Sequence, residues 1–227
     1  MNLYIIMLTS NCVNYTHRTL GTFKTNLPHN FIIVDNNSTD DTPKLLQNLA
    51  KFPNQIHIYN RHRVSVSVAW NQGLKRAMQD PEFKYAYVIN NDIDFEPYTV
   101  DRLVSFVEAH PEYVILSGLN TRDFNKQAGQ VGEDCCDFAA FLITKTCIDK
   151  VGLFDENFVG AYFEDNDYHE RVKRAGLKSC VVCDVGHYHH GSRTLKEGWT
   201  TEERSILSLN YEKNKAYFKQ KWGFLPK

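Results

Sequence analysis

Phe31-Ile32-Ile33-Val34-Asp35-Asn36-Asn37-Ser38-Thr39-Asp40-Asp41-Thr42-Pro43 changes character twice. An apolar run from Phe31 to Val34 gives way to a polar turn over Asp35–Asp40, and Thr42-Pro43 opens a further segment. An unbroken apolar run suits a strand covered on both faces. Proline is tolerated in the first turn of a helix, which predicts a helix from Thr42 to about Phe52. Strand, turn and helix are therefore legible in one short stretch.

The same alternation extends outward. Leu3–Leu8 reads as a buried strand and Val13–Leu27 as a helix that stops before Pro28. Ile56–Tyr59 is a short strand, Val66–Met78 a helix, and Tyr85–Ile89 a strand that ends in Asn90-Asn91-Asp92. Pro97–His110 is helical and Tyr113–Ser117 a strand. Such alternation predicts βαβ units, hence an α/β domain with a mostly parallel central sheet flanked by helices. Later come a strand over Asp137–Thr144, a helix over Glu164–Ala175 closed by Gly176, and a strand over Ser179–Cys183 leading into histidines. Thr200 with Glu203 three residues on fits a capping box. Leu207, Tyr211, Phe218 and Trp222 then share a helical face, which core packing explains more simply than a partner groove.

The 227 residues are 42% apolar and 23% charged, which suits one globular domain over 1–227. A net charge of -1 supplies no global field toward nucleic acid or anionic lipid. No apolar run approaches the roughly 20 residues needed to cross a bilayer. Met1–Thr9 lacks a basic leader and a cleavage site, so a core strand is expected there, not a signal peptide. The six cysteines match no disulfide scaffold and read as reduced thiols, which points to a cytoplasmic protein.

Several clusters could carry chemistry. Asp35, Asn37 and Ser38 follow an internal strand, where ligands of open sheets collect, although all three also suit an ordinary turn. Asp92 and Asp94 suit an oxygen-loving cation such as Mg²⁺ or Mn²⁺, or a solvated acidic turn. Glu164, Asp165 and Asp167 open a helix. One acid there is ordinary capping, while a further one could serve as a general base. His187, His189 and His190 follow a strand, and imidazole suits borderline metals. Cys180 and Cys183 upstream raise the alternative of a zinc knot, at a spacing that matches no common finger.

Taken in order, these pieces resemble the inverting glycosyltransferases of family 2, with the Rossmann-like GT-A fold. The carrying stretches are Ile32–Asp40, Ala69-Trp70-Asn71-Gln72-Gly73, Ile89–Asp92, Val151–Glu156, Glu164-Asp165 with Arg171 and Ala175-Gly176, His189–Ser192, and Lys221-Trp222-Gly223. The resemblance implies a nucleotide-sugar-binding half over 1–118, an acceptor and catalytic half over 119–199, and a packed C-terminal helix over 200–227. It implies that Thr9, Asn11, Asn37 and Asn91 lie beside the nucleotide. Asp35 would bind the base, commonly uracil, with Ser38 close by and Asn71 near the diphosphate. Asp92 would bind the metal together with His187 or His189, and Asp165, with Glu164 beside it, would be the catalytic base. Two departures stand out. Asn90 replaces the first acid of the family's Asp-x-Asp, so Asp94 need not be a ligand, and Ser65 occupies the place of a frequent glycine.

The expected activity is transfer of a sugar, from a UDP-linked donor, to an acceptor nucleophile with inversion, assisted by Mn²⁺ or Mg²⁺. Arg193, in the Gly191–Gly198 segment, is expected to close over the diphosphate, and Asp137 to contact the acceptor. That acceptor is open: a glycan, a lipid-linked sugar, a protein or a modified nucleic-acid base. A homodimer is one option for assembly. Two rival readings are a sugar nucleotidyltransferase, disfavoured because Thr9–Asn14 lacks a glycine- and lysine-rich phosphate loop, and a non-catalytic sugar- or zinc-binding domain.

Overall fold

The computed structural model describes residues 2–121, 131–191 and 193–226, apart from the side chains at 194 and 195. Ser192 of the histidine stretch lies outside the described residues. The first half alternates as the sequence implies: β1 (Leu3–Thr9), α1 (Val13–Thr22), β2 (His29–Asp35), α2 (Thr42–Leu49), β3 (Gln55–Tyr59), α3 (Val66–Ala77) and β4 (Tyr85–Asn90). Strands β3, β2, β1 and β4 are neighbours in that order, and every pairing among them is parallel.

Period-two alternation explains why these strands are apolar throughout. Leu3, Ile5 and Met7 of β1 enter one core with Phe31, Ile33, Tyr87 and Ile89. Tyr4 and Ile6 enter the other with Ile32, Val34, Ala86 and Val88. Leu20 of α1 and Leu46 of α2 cover the first face, while Ala69, Trp70 and Leu74 of α3 cover the second. Helix α1 ends at Thr22, earlier than the Leu27 that sequence suggests. Phe23 turns out into extended backbone and seats its ring against Phe31, Tyr87 and Phe95.

The second half changes the sheet. Its elements are β5 (Ile93–Phe95), α4 (Thr99–Ala109), β6 (Tyr113–Asn120), β7 (Val131–Glu133), β8 (Ala140–Thr144), α5 (Lys145–Val151), α6 (Glu164–Arg174), β9 (Lys178–His189), α7 (Arg193–Glu197) and α8 (Thr201–Trp222). The described sheet has nine strands, continuing from β4 through β8, β6, β9 and β5, with β7 also on β9. Strand β8 runs antiparallel to β4 and β6, so parallel order is confined to the first half and the β6–β9 pair. Strand β9 is longer than the Ser179–Cys183 run implies, and His187 and His189 lie within it, not after it.

The expected capping box of Thr200 and Glu203 starts α8. Leu207 and Phe218 are buried, but Tyr211 is 39% exposed, so the apolar stripe is only partly core. The helix packs on Phe158 and Phe163, which form a small cluster with Phe218. Lys221 then locks its end between Asp155 (2.6 Å) and Asp167 (2.7 Å), and the Trp222 indole donates to Asp167 (2.9 Å). No helix among the described residues is long and apolar enough to cross a membrane.

Gly73 lets α3 pack tightly on the sheet: a Cβ there would stand 2.3 Å from Cγ2 of Ile6, a fully buried side chain branched at its own Cβ. Gly73→Ala is expected to destabilise the protein by about 1–3 kcal/mol, as overpacking does. Urea denaturation checks this through a lower midpoint at unchanged slope.

Candidate active site

Register sets the frame of the site. Thr9 pairs with Asp35, and Leu8 with Asn90, so β1, β2 and β4 end together at one edge of the sheet. Ligands of open α/β sheets bind at that carboxyl edge. A cavity of about 280 Å³ lies there, and its walls include Asn36, Asp92, Asp137, Glu164, Asp165 and His189.

Asp92 follows β4 and is buried. Its carboxylate accepts the backbone N–H of Arg193 (3.1 Å) and lies 3.1 Å from Nε2 of His189. His189 reaches it because β9 is irregular. Gly118 pairs with Val182, but Leu119 pairs with Gly186, so three residues of β9 are passed over. Beyond this excursion, β9 pairs antiparallel with β5, and His187 and His189 face the same side by strand periodicity. Burial lowers the proton affinity of His189, yet the hydrogen bond and charge of Asp92 outweigh it and the net shift is upward.

His187 and Asp94, both candidate metal ligands in sequence, do not reach the cavity. His187 is fully buried, and its Nε2 is committed to Asp137 (3.0 Å). Asp94 is held by Arg18 through two contacts of 2.6 Å and by His190 at 2.9 Å. Asp137 does line the cavity, and it also accepts the N–H of Ala139 (2.9 Å). Burial would raise its pKa, but His187 more than compensates and holds it below the ordinary value.

Glu164 and Asp165 begin α6. Tyr162 and Phe163 before them adopt left-handed backbone, φ 82° and 74°, which swings the helix start toward the cavity. Asn214 of α8 stabilises this turn: its amide donates to the carbonyls of Val159 (2.9 Å), Ala161 (3.2 Å) and Tyr162 (3.0 Å), and its oxygen accepts Val159 N–H (2.9 Å). A helix N-terminus favours carboxylates. Burial wins at Glu164, whose pKa is pushed up to about 8, with the charge of Asp165 adding to the rise. Asp165 is also raised, by burial first and by the nearby Asp137 charge to a smaller degree.

The residues expected around the nucleotide divide. Asn91 lines the cavity while its amide donates to Thr9 Oγ1, Thr16 Oγ1 and the Asn11 carbonyl. Thr9, Asn11, Asp35 and Ser38 form the layer behind. Ser38 donates to Asp35 at 2.5 Å and accepts Asn11 N–H at 2.7 Å, and the Asn11 amide donates to Gly198 O at 2.6 Å. Asn37 takes the left-handed turn conformation, φ 62°. Asn71 does not lie at the cavity. It is buried at the far side of α3, bonded to both backbone groups of Phe154 and to Glu156. Arg193 reaches Asp92 through its backbone, while its guanidinium pairs with Glu197 (2.7 Å). Cys180 and Cys183 of the zinc alternative sit within β9, the first fully buried.

Sequence reasoning missed Asn36, Arg63 and Trp199. Asn36 faces the cavity and clamps Val64 by accepting its N–H and donating to its carbonyl, both at 2.9 Å. Trp199 also lines the cavity, with the Arg63 guanidinium 4.5 Å from its ring centre. Arg63 in turn contacts Ser10 (3.1 Å) and Glu203 (2.5 Å). Asn36 stood inside the quoted turn and could have been named, whereas Arg63 and Trp199 meet only through the fold.

Comparison with known proteins places the family and the fold. A family model described as Glycosyl transferase family 2 matches residues 4–145. A galactofuranosyl glycosyltransferase of Leishmania donovani is 34% identical over 86 residues, which are 38% of this chain and 19% of that protein. S. aureus TarS shares the fold with a TM-score of 0.65 at 15% identity, over 94% of this chain and 43% of TarS. The TarS 1-349 structure in complex with UDP-GlcNAc superposes with a TM-score of 0.65 at 16% identity, over 92% of this chain and 65% of that one. The mannosyltransferase PcManGT from Pyrobaculum calidifontis, in complex with GDP-Man and Mn2+, gives 0.64 at 14% identity, over 99% and 76%. The chain thus spans less than half the length of TarS and about a fifth of the Leishmania protein. The family match covers more than half of the sequence and the sheet carries the GT-A architecture: this chain belongs to glycosyltransferase family 2.

Proposed function

We propose that this protein moves a sugar from a UDP-linked donor to an acceptor nucleophile with inversion, using Asp165 as general base. One observation carries the reading: Asp92, His189 and the Glu164–Asp165 pair come from distant stretches and line a single cavity. The nucleotide-sugars bound by TarS and PcManGT support a donor of that class.

Asp92 and His189 would hold a divalent cation, Mn²⁺ or Mg²⁺. Among the described residues no group of three or more His, Cys, Asp or Glu is placed to hold a metal unaided. A buried carboxylate with one imidazole still fits such a cation, which commonly keeps waters and substrate phosphate oxygens around one or two protein donors. When bound, it supplies charge stabilisation for the departing diphosphate. Asp165 takes the acceptor proton as that atom attacks the anomeric carbon, and its raised pKa makes it a stronger base than an exposed aspartate. Glu164 stays protonated at neutral pH, so it adds no second negative charge beside that base. Asp137, anchored by His187, faces the same space and is suited to receive an acceptor hydroxyl.

Asp165→Asn is expected to lower kcat by about 10²–10⁴-fold, the usual contribution of a general base, while UDP affinity stays at the wild-type value. An active Asn variant would remove Asp165 from the mechanism. In the wild type, kcat/KM should fall with acidification through a pKa above the ordinary aspartate value of about 3.9.

Chelation with EDTA should abolish release of UDP from UDP-sugars, with Mn²⁺ restoring it. Asp92→Ala should not recover on Mn²⁺ addition. UDP release insensitive to EDTA would contradict the cation assignment.

Glu164 binds its proton more tightly folded, about 8, than at its ordinary value of 4.5. Stability should therefore decline as pH rises from about 4.5 to 8. Thermal unfolding of Glu164→Gln between pH 5 and 9 should show an advantage over wild type that grows with pH and levels off above 8. Parallel pH profiles would refute the buried, proton-holding state.

A further inference from the structure

Asp165 borders two hollows. One is the cavity already described. The other, about 360 Å³, also adjoins the α6 start, with walls that include Tyr162, Phe163, Asn166, Tyr211 and Lys215. Its aromatic wall is exposed: Tyr162 and Tyr211 are each 39% accessible, with ring centres 5.6 Å apart and planes at 74°. Leu225, also in this wall, is 38% exposed.

Four physical features converge here. Exposed tyrosine faces offer apolar area with little entropy to lose, which suits the CH faces of a sugar ring. Tyr211 and Lys215 are four residues apart on α8 and therefore share one helical face. The ammonium of Lys215 is only loosely matched, 3.9 Å from Glu212, so a closer anion can take its place. The floor is also well fixed, because the amide of Asn214 on the same helix holds the 159–162 turn.

We infer that this groove is the acceptor site, and that it takes a carbohydrate stacked on Tyr162 and Tyr211 whose anionic substituent, a carboxylate or phosphate, is held by Lys215. The inference rests on the proposed transferase reading. A donor in the first cavity and an acceptor seated in the second would meet at Asp165, where the attacking hydroxyl reaches into the first cavity beside Asp137 and gives its proton to Asp165. The new C–O bond forms as the bond to the nucleoside diphosphate breaks, and the diphosphate leaves with the electron pair.

Saturation-transfer NMR on the full chain with UDP and diamagnetic Mg²⁺ tests the assignment, using methyl β-D-glucopyranoside, its 6-carboxylate (the methyl glucuronide) and glucose 6-phosphate as probes. UDP affinity, measured separately, reports on the donor cavity; failure to bind UDP would sink the transferase reading itself. With UDP bound, the charged probes are expected to bind at least tenfold more tightly than the neutral one, and the better of them identifies the anion. Lys215→Gln, a half-exposed change that leaves the helix intact, should erase that difference. Tyr211→Ala, checked for folding by circular dichroism, should weaken every probe at least tenfold. If the wild type binds UDP but none of the probes, the groove is not a carbohydrate site. If either variant binds like wild type, the role given to that residue is wrong.

Discussion

The controlling constraint on this site is crowding of negative charge. Asp92, Asp137, Glu164 and Asp165 all face one cavity of about 280 Å³, and buried carboxylates in such proximity repel. The fold answers each differently. Asp92 has His189 and a backbone N–H, and Asp137 has a fully buried His187. Glu164 keeps its proton, and the pKa of Asp165 is raised because burial outweighs its backbone hydrogen bonds and the charge of His169. Of the two carboxyl groups without a directly bonded histidine, Glu164 already holds its proton, which leaves Asp165 as the one able to accept another.

That view explains why residues with similar chemistry in the sequence have different fates. Asp94 and His190 resemble Asp92 and His189 in type and spacing, yet they pair with each other and with Arg18 outside the cavity. Asn71, Asp155, Arg171 and Lys221 belong to stretches that carry the family resemblance, and all of them serve architecture. Asn71 fastens α3 to the Phe154 turn, while Asp155, Lys221, Asp167 and Arg171 form a chain of ion pairs between α6 and the end of α8. The motif therefore records how the site is braced as much as what does the chemistry.

Strands β1, β2 and β4 were legible because an all-buried parallel strand is written as an uninterrupted apolar run, and Leu3–Leu8, Phe31–Val34 and Tyr85–Ile89 each are. Asp92, Asp137, Glu164, Asp165 and His189 could be named because strand ends and a helix start mark them locally. What escaped was set by long-range pairing. Strand β5 is only three residues long and exists because β9 lies beside it. Tyr211 fitted a helical stripe, but periodicity cannot say that the 158–163 turn covers Phe218 and leaves Tyr211 open. The junction of Arg63, Trp199 and Glu203 joins residues separated by well over a hundred positions, beyond the reach of any local signal.

The surplus of three residues in β9 has a bearing on how this scaffold can diverge. Because side chains alternate along a strand, a slip of register that paired Val185 in place of Gly186 with Leu119 would shorten that surplus by one and present Tyr188 to Asp92 where His189 now stands. Change by twos would preserve the alternation but move the imidazole along the edge. The excursion is thus a parity device: a slip of one residue in its length exchanges the imidazole that faces Asp92 for a phenol, while a slip of two returns an imidazole.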